Sequence, residues 1–230
     1  MQEAVVGVDG CRAGWIAVIW TDVGAHCELL SSFSKVLSVH PGIIAVDMPI
    51  GLPPKHGRIA EHEARSILGA RRSSVFSTVS RAAYAANTWK EACEINLINS
   101  VPPKKLSQQS FAIFKKVKEV DAAITPALQS RVREVHPEVI FYEMNDRQPL
   151  HFSKKKRDGA SERVKLLERS GFPWSTLGHP IYLKKNVADD DIIDACACAW
   201  SARRILEGTA RYYPEKEERD ARGLLMRIHA

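Results

Sequence analysis

The stretch that decides the fold lies near the start of the chain, where residues 4–20 read AVVGVDGCRAGWIAVIW. Its two apolar runs, residues 4–9 and 15–20, are rich in β-branched and aromatic residues and predict two strands. The residues between them are rich in glycine, which permits a tight turn and a close approach of the backbone. The stretch therefore predicts an antiparallel pair of strands, the first of which ends at Asp9.

The next elements extend this pair into a sheet. Residues 27–33 could supply a third strand, a short helix is predicted around residues 34–39, and the apolar run at residues 43–46 leads to Asp47. This order predicts an α/β fold with a mixed sheet. The sheet is expected to begin as an antiparallel meander, to continue with parallel strands, and to be flanked by helices.

The rest of the chain is predicted to be mostly helical. Helical patterns over about residues 55–130 predict a helical insertion within a single domain that covers residues 1–230. Residues 132–142 are rich in strand-forming side chains and predict further strand structure, interrupted at His136-Pro137. Later helices are predicted over about residues 160–169 and 190–206.

The composition is that of a globular protein with a basic surface. The hydrophobic fraction is 45%, the charged fraction is 26% and the formal net charge is +6, which favours polyanionic partners such as DNA or RNA. The five cysteines form no CxxC pair, which favours reduced thiols over a zinc site or a disulfide framework. No signal-peptide pattern is evident, and no run approaches the ~18 apolar residues of a membrane helix. A cytoplasmic protein without a membrane partner is therefore expected.

Four carboxylates carry the main chemical signal. Asp9 and Asp47 each end an apolar strand, and Asp191 and Asp194 lie three residues apart on the predicted late helix, so that both project from one face. Together they could converge on one site for a hard cation, because Mg²⁺ and Mn²⁺ prefer oxygen ligands. Acids at strand ends and helix starts also cap turns and interact favourably with the helix dipole, and this structural role is the alternative.

Six groups of residues in a fixed order make the chain similar to a known family. In chain order they are Gly7-Val8-Asp9-Gly10-Cys11-Arg12-Ala13-Gly14-Trp15, Asp47-Met48-Pro49-Ile50-Gly51-Leu52-Pro53, Glu63-Ala64-Arg65 with Arg71-Arg72-Ser73-Ser74-Val75-Phe76, Glu134-Val135-His136-Pro137-Glu138, Ser153-Lys154-Lys155, and Asp190-Asp191 with Asp194-Ala195. The chain resembles the RNase H-like superfamily and, within it, a family of predicted nucleases known only as a domain of unknown function, DUF429. The resemblance covers most of the chain and implies an RNase H-like fold.

The same resemblance implies a metal-dependent nuclease that hydrolyses phosphodiester bonds of DNA or RNA with Mg²⁺ or Mn²⁺. In RNase H-like enzymes of the Holliday-resolvase kind, the acids come from the first strand, the fourth strand and a late helix, and Asp9, Asp47, Asp191 and Asp194 match these positions. Two divalent ions about 3.5–4 Å apart can generate hydroxide and stabilise the leaving oxygen. Asp9 would bridge both ions, Asp47 and Asp194 would complete their shells, and Asp190 could take the place of Asp191.

Two residues beyond these acids are candidates for the catalytic machinery. Glu134 could be a further metal ligand or could orient water. His136 could act as a general base or contact a phosphate, and a turn histidine bonded to the backbone is the alternative.

Basic residues are candidates for substrate binding. Arg71 and Arg72 could clamp phosphate oxygens in a bidentate manner, and Lys154 and Lys155 could follow a nucleic-acid backbone. A solvated charged face is the alternative for such basic runs.

Two other functions fit parts of the sequence. A non-catalytic nucleic-acid binding protein that retains the fold would be equally basic, although it would gain affinity by losing acids near phosphates. A nucleotide phosphotransferase related to the actin-like ATPases shares the strand order, but Cys11-Arg12-Ala13 supplies no hydroxyl for a phosphate turn. A resolvase-like role would predict a dimer, although no helix stands out as a dimer interface.

Overall fold

The central sheet has five strands and mixed pairing. The computed structural model describes residues 3–39, 42–154, 156–178 and 182–230. The strands β1 to β5 follow the spatial order β3-β2-β1-β4-β5 and cover Val5–Cys11, Gly14–Thr21, Gly24–Leu30, Ile43–Val46 and Val132–Glu134. The β1–β2 and β2–β3 pairs are antiparallel, whereas the β1–β4 and β4–β5 pairs are parallel. The predicted mixed sheet, a meander followed by parallel strands, is confirmed.

The helices account for most of the remaining chain. The α-helices α1 to α8 cover Phe33–Ser38, Ile59–Leu68, Trp89–Ile98, Gln108–Ala112, Phe114–Ala123, Pro137–Met144, Arg157–Arg169 and Asp189–Leu206. Short 3₁₀ helices cover Gly69–Ser74, Arg81–Ala85, Leu128–Ser130 and Trp174–Leu177, and the short strands β6 and β7 cover Tyr212–Tyr213 and Ile228–His229. The predicted late helices are confirmed as α7 and α8. Within the described residues, no helix combines the length and the apolar character that crossing a membrane requires.

The third strand begins and ends earlier than its predicted range of residues 27–33. Ser32 Oγ accepts a hydrogen bond from the backbone N–H of Lys35 at 3.3 Å, so Ser32 caps α1 and leaves the sheet. At the other end, Gly24 has a φ of 137°, which lets the chain turn tightly out of β2 and into β3.

The second half of the predicted strand at residues 132–142 is wrong, because residues 137–144 form helix α6. Pro137 occupies the first turn of α6, where its fixed φ suits a helix and its missing N–H has no intrahelical partner to lose. The side chains of residues 137–142 are all buried, so Val139 and Ile140 belong to a helix that is apolar on most of its surface. Such a run gives the same apolar pattern as a buried strand.

The chain divides into two compact units. Unit 1 comprises Met1–Met48, Arg131–Arg211 and His229–Ala230 and contains the five-stranded sheet. Within it, α8 packs on β1, β2 and β4, and α1 packs on β2 and β3. Cys196 and Cys198 lie in this core as free thiols.

Unit 2 comprises Pro49–Ser130 and Tyr212–Ile228 and contains the mostly helical stretch predicted over about residues 55–130. The second of its segments is held by Asp220, whose carboxylate accepts a hydrogen bond from the backbone N–H of Leu52 at 3.1 Å. The same carboxylate forms an ion pair with Arg81 at 2.6 Å. These bonds to the charged form hold the pKa of Asp220 below its usual range, against the opposing effect of burial.

Candidate metal centre

The register of β1 and β4 brings two carboxylates to the same end of neighbouring strands. Val8 pairs with Val46 in the parallel ladder, and Asp9 and Asp47 are the next residues of their strands. The backbone N–H of Asp47 donates to the carbonyl oxygen of Val8 at 2.9 Å, so the parallel pairing continues to the first residue after β4. The two acids therefore lie side by side as a direct result of the sheet pairing. The predicted end of the first strand at Asp9 is wrong, because the pairing with β2 continues to Cys11.

Helix α8 supplies the third carboxylate because it approaches β1 unusually closely at Gly7. A Cβ atom built at Gly7 would lie 2.0 Å from the backbone nitrogen of Ala199 and 2.2 Å from the carbonyl oxygen of Ala195. Side chains alternate along a strand, so Gly7 and Asp9 face the same side of the sheet, the side that α8 covers. Asp194, one residue before Ala195, is thereby held on the face to which Asp9 projects.

These three acids form a compact group of ligand atoms. One carboxylate oxygen from each of Asp9, Asp47 and Asp194 lies within 4.8 Å of the other two. Asp9 and Asp194 are buried and Asp47 is half-buried. The Oδ1 atom of Asp194 is buried and has no hydrogen-bond partner among the described residues. A buried, unpartnered carboxylate oxygen beside two further carboxylates supplies oxygen ligands of the kind that hard cations prefer, so this group could hold a metal ion.

The electrostatics of the group oppose its ionisation. Burial, reinforced by the charges of Asp47, Asp194 and Asp191, raises the pKa of Asp9 well above its usual value. Burial raises the pKa of Asp47 to about 6 and that of Asp194 to about 6, with Glu138 adding to both shifts and Lys154 opposing them. Without a metal ion, the folded protein therefore holds negative charge here at a cost in free energy.

Lys154 offsets part of that cost. Its Nζ donates a hydrogen bond to Asp194 Oδ2 at 2.6 Å and lies 3.9 Å from Asp190 Oδ2. Burial alone would lower the pKa of Lys154, but the charge and hydrogen bond of Asp194 outweigh it and raise the pKa. With all groups ionised, three carboxylates and one ammonium leave a formal charge that one divalent cation would neutralise.

The position of Lys154 depends on a second close glycine contact. A Cβ atom at Gly159 would lie 2.1 Å from the carbonyl oxygen of Ser153. Glycine at this place in α7 therefore allows the loop that carries Lys154 to lie directly on the helix. The backbone N–H of Lys156 also donates to Ser153 O at 2.9 Å, which fixes the turn between the loop and α7.

Comparison with known protein families identifies the family to which the sequence belongs. A family model described as a protein of unknown function (DUF429) matches residues 7–219. The chain belongs to the DUF429 family. The matched range of the DUF429 model includes Asp9, Asp47, Lys154 and Asp194, as well as Gly7. No curated protein and no solved structure matches the chain.

In this DUF429 chain, the sequence-predicted ligand Asp191 lies outside the group of three. Its Oδ2 accepts a hydrogen bond from the backbone N–H of Ala188 at 2.8 Å, as the acid of a helix cap does. Its charge still contributes to the raised pKa of Asp9. Asp191 and Asp194 were expected to act together, but Asp191 caps the start of α8 and only Asp194 belongs to the group of three acids. Asp190 lies beside Lys154.

Glu134 is also not among the clustered ligand atoms. It pairs with Val46 in the parallel ladder, and registered partners project to the same face of a sheet. That face is opposite to the one shared by Gly7 and Asp9, so the register carries Glu134 away from α8. The Glu134 carbonyl oxygen lies 3.2 Å from Nδ1 of His229. His136, two residues further on, is the half-buried residue that precedes α6.

The basic candidates are distributed between the two units. Lys154 lies at the acidic group of unit 1, whereas Arg71 and Arg72 lie in unit 2 on the 3₁₀ helix Gly69–Ser74. Arg71 is half-buried and Arg72 is exposed. Lys155 lies outside the described residues.

Sequence reasoning did not identify an ion pair that acts on this site. Glu138 and Arg163 are both buried and form a short charge-assisted hydrogen bond between α6 and α7. The charge of Glu138 contributes to the raised pKa of both Asp47 and Asp194. The sequence places Glu138 directly after Pro137, where an acid of the first helical turn is ordinary, and it carries no signal for a partner 25 residues away.

Proposed function

We propose that this protein is a metal-dependent nuclease with an RNase H-like fold that hydrolyses phosphodiester bonds of DNA or RNA. The observation that carries the proposal is the buried group of Asp9, Asp47 and Asp194, with ligand oxygens within 4.8 Å of one another. Buried carboxylates with raised pKa values are unfavourable for stability alone, and such clusters are typical of functional sites.

The topology supports the RNase H-like part of the proposal. A meander of three antiparallel strands is followed by two parallel strands, with one acid within the first strand, one directly after the fourth strand and one on a late helix. This is the arrangement that the resemblance to enzymes of the Holliday-resolvase kind implies. The resemblance assigns Asp9, Asp47 and Asp194 to these positions.

The proposed cofactor is Mg²⁺ or Mn²⁺, because the three clustered ligand atoms are all carboxylate oxygens. In a two-metal-ion mechanism, the ions activate water and stabilise the leaving oxygen. By the resemblance, Asp9 is the candidate for contact with both ions. Asp47 and Asp194 would each complete one shell, and Asp191 would act by capping α8 and by adding negative charge.

The basic residues supply the proposed contacts with nucleic acid. The formal net charge of +6 favours a polyanionic substrate. Arg71, Arg72, His136 and Lys155 remain proposals for phosphate binding. Lys154 would bond to Asp194 in the absence of substrate and to a phosphate oxygen in its presence. Its side chain is 38% exposed, so a substrate could reach the ammonium group from solvent.

A cleavage assay tests the proposal. Wild type is incubated with Mn²⁺ or Mg²⁺ and with single-stranded, duplex and branched DNA and RNA, beside Asp9→Asn and Asp47→Asn. The matched control is Asp146→Asn, an exposed residue of unit 1 with a φ of 51°, a conformation that asparagine accepts well. Metal-dependent cleavage by wild type and Asp146→Asn, lost in the other two variants, is the expected result. Cleavage that persists in Asp9→Asn would contradict it.

A non-catalytic nucleic-acid binding protein is the second candidate. The ion pair between Lys154 and Asp194 favours it, because part of the acidic charge is already compensated within the chain. Such a protein would bind oligonucleotides in a salt-dependent manner and would leave them intact with either metal ion. Binding without cleavage across all substrates would therefore select this candidate over the nuclease.

A further inference from the structure

A second polar site lies in unit 2, on the exposed side of α2. The buried side of this helix carries Ala60, Ala64 and Leu68, which follow each other at intervals of four residues. His62, Arg65 and Ser66 lie on the opposite side, at the i, i+3 and i+4 spacing that places side chains next to one another. The sequence of α2 thus separates an apolar face from a face of hydrogen-bonding side chains.

The chain then folds back so that Arg72 joins this face. Gly69 ends α2 with a φ of 51°, a left-handed conformation that glycine adopts without a steric penalty. The following 3₁₀ helix is closed by Ser74, whose hydroxyl donates to the carbonyl oxygen of Arg71 at 2.6 Å. A cavity of about 420 Å³ results, and it is lined by His62, Arg65, Ser66 and Arg72. We call it the α2 pocket.

Within the described part of the chain, the positive charge of the α2 pocket is not balanced by an ion pair. Arg65 Nη1 donates to the neutral hydroxyl of Ser77 at 3.0 Å. Among the described residues, no carboxylate forms an ion pair with Arg65 or Arg72. Other arginines of unit 2 are compensated: Arg58 bonds to Glu61 at 2.5 Å, and Arg81 to Asp121 at 3.0 Å.

Two uncompensated guanidinium groups beside a histidine and a hydroxyl define the chemistry of a ligand. Guanidinium groups bind phosphate oxygens in a bidentate manner, and such charge-assisted bonds are roughly twice as strong as neutral ones. A phosphate monoester carries more negative charge than the internal phosphodiester of a nucleic acid and offers three terminal oxygens. The cavity volume lies within the range of small-molecule sites, so there is room for a nucleoside beyond the phosphate.

We propose that the α2 pocket is a binding site for a phosphate monoester, held by Arg65 and Arg72 with Ser66 and His62 as further hydrogen-bonding partners. The chemistry is shared by a mononucleotide and by the terminal phosphate of a nucleic-acid strand. The sequence predicts that Arg72 binds a phosphate together with Arg71. In the α2 pocket, the second arginine is Arg65 instead. This site does not depend on the nuclease proposal, since it lies wholly within unit 2 and uses none of the clustered acids.

The test is a titration of the whole chain with inorganic phosphate, followed by calorimetry or by amide chemical shifts, with EDTA present throughout. The variants are Arg65→Gln and Arg72→Gln, and the matched control is Lys118→Gln, which removes the same charge from an exposed position of α5. Each arginine variant is expected to weaken binding by about tenfold or more, because a hydrogen bond to a charged group is lost. The control is expected to bind as wild type does.

Three results would overturn the proposal: no binding at millimolar phosphate, wild-type affinity in both arginine variants, or an equal loss in Lys118→Gln. The last would mean that only the general basic charge attracts the anion. Melting curves of the variants establish that they are folded, and Arg72 provides an independent variant if loss of the Arg65–Ser77 bond destabilises unit 2. EDTA removes divalent ions, so failure of the acidic group to bind metal cannot produce a negative result here.

A second arm identifies the source of the phosphate. A nucleoside monophosphate is compared with one oligonucleotide in two forms, with and without a 5′ phosphate. Tighter binding of the phosphorylated form, lost in Arg65→Gln, supports a strand end, and binding of the mononucleotide with equal or higher affinity supports a free nucleotide. Equal binding of both oligonucleotide forms, together with no binding of the mononucleotide, would overturn the specificity for a monoester.

Discussion

The ammonium group of Lys154 lies 2.6 Å from Asp194 Oδ2, at the edge of a buried group of three carboxylates. A lysine in this position supplies within the chain part of the positive charge that a divalent cation would supply from solution. The acidic group therefore has one built-in partner and the capacity for a second. Removing the charge of Lys154 is therefore expected to lower the stability of the metal-free protein and to raise its affinity for a metal ion.

Lys154→Met is expected to lower the stability of the metal-free protein and to tighten the binding of Mn²⁺. Loss of the ammonium leaves Asp194 buried without its charge partner, at a cost of about 1–3 kcal/mol after allowance for the partial exposure of Lys154. The same loss makes the group more negative, and we expect about tenfold tighter binding of Mn²⁺. Thermal melts in EDTA and calorimetric titration with Mn²⁺ measure the two effects.

The control for that experiment is Lys156→Met, at an exposed position two residues away. It removes the same charge from the surface and should change neither quantity appreciably. Weaker Mn²⁺ binding in Lys154→Met than in wild type would show that Lys154 organises the site for the ion instead of substituting for it.

Asp47→Asn is expected to stabilise the metal-free protein and to abolish its stabilisation by metal. Burial raises the pKa of Asp47 to about 6, so its ionised form at neutral pH costs on the order of 1 kcal/mol or more. The amide has no such cost, but it is a weaker ligand. The measurement is the difference in Tm with and without Mn²⁺, for wild type, Asp47→Asn and the control Asp146→Asn. A metal-induced shift of equal size in all three proteins would exclude Asp47 from the ion site.

Stabilisation by metal should grow as the pH rises through about 6. The carboxylates of Asp47 and Asp194 each have a pKa of about 6 in the folded state, above their values in an unfolded chain, and metal must displace their protons. Without metal, the stability of the folded protein is expected to fall as the pH rises. The raised pKa values stabilise the folded state fully at a pH below the pKa values of the unfolded chain, and this stabilisation is lost as the pH rises through about 6. Tm measured from about pH 5 to pH 8, with EDTA and with Mn²⁺, should therefore give curves that diverge with pH. Parallel curves would contradict the assignment.

Gly7→Ala is expected to displace α8 or to prevent folding. The new methyl group would meet the backbone of Ala199 at 2.0 Å, and backbone atoms in the middle of a helix cannot move aside cheaply. A loss of 3 kcal/mol or more is expected, at roughly the upper end of overpacking effects, together with loss of the Mn²⁺-induced shift in Tm. Urea denaturation of the metal-free variant checks the first effect.

Gly42→Ala is the matched comparison. The three atoms nearest to a Cβ atom at Gly42 all belong to the side chain of Glu3, an exposed and flexible residue. This variant should unfold within about 1 kcal/mol of wild type. If the two alanine variants were equally stable, close packing of β1 against α8 would not be what holds Asp194 in place.

Most of the sheet and all three clustered acids could be predicted from the sequence. Strand pairing follows from apolar runs and their turns, and an acid directly after an apolar run is a local feature of the chain. Asp9 and Asp47 are of this kind. Asp194 could also be selected, because the late helix has a clear pattern and the family resemblance includes it.

Some features could not be predicted because they depend on contacts between segments that are distant in the sequence. Others could not be predicted because the same sequence pattern fits two different structures. Nothing local in the sequence indicates that Lys154 bonds to Asp194, because that contact requires Gly159 to admit the loop against α7. Asp191 and Asp194 have the same helical spacing, and only the geometry of the helix start makes the former a cap. Val139 and Ile140 favour a strand by propensity, but burial on all sides allows them in a helix.

The close contact between Gly7 and α8 determines when the three-carboxylate group can form during translation. The strand that carries Asp9 is synthesised well before the helix that carries Asp194, because the two acids lie far apart in the sequence. The three-carboxylate group is therefore incomplete on a nascent chain until α8 has been made and has docked onto β1. Any activity that requires all three acids is thus confined to polypeptides that extend through α8, and products that stop before α8 would be inert.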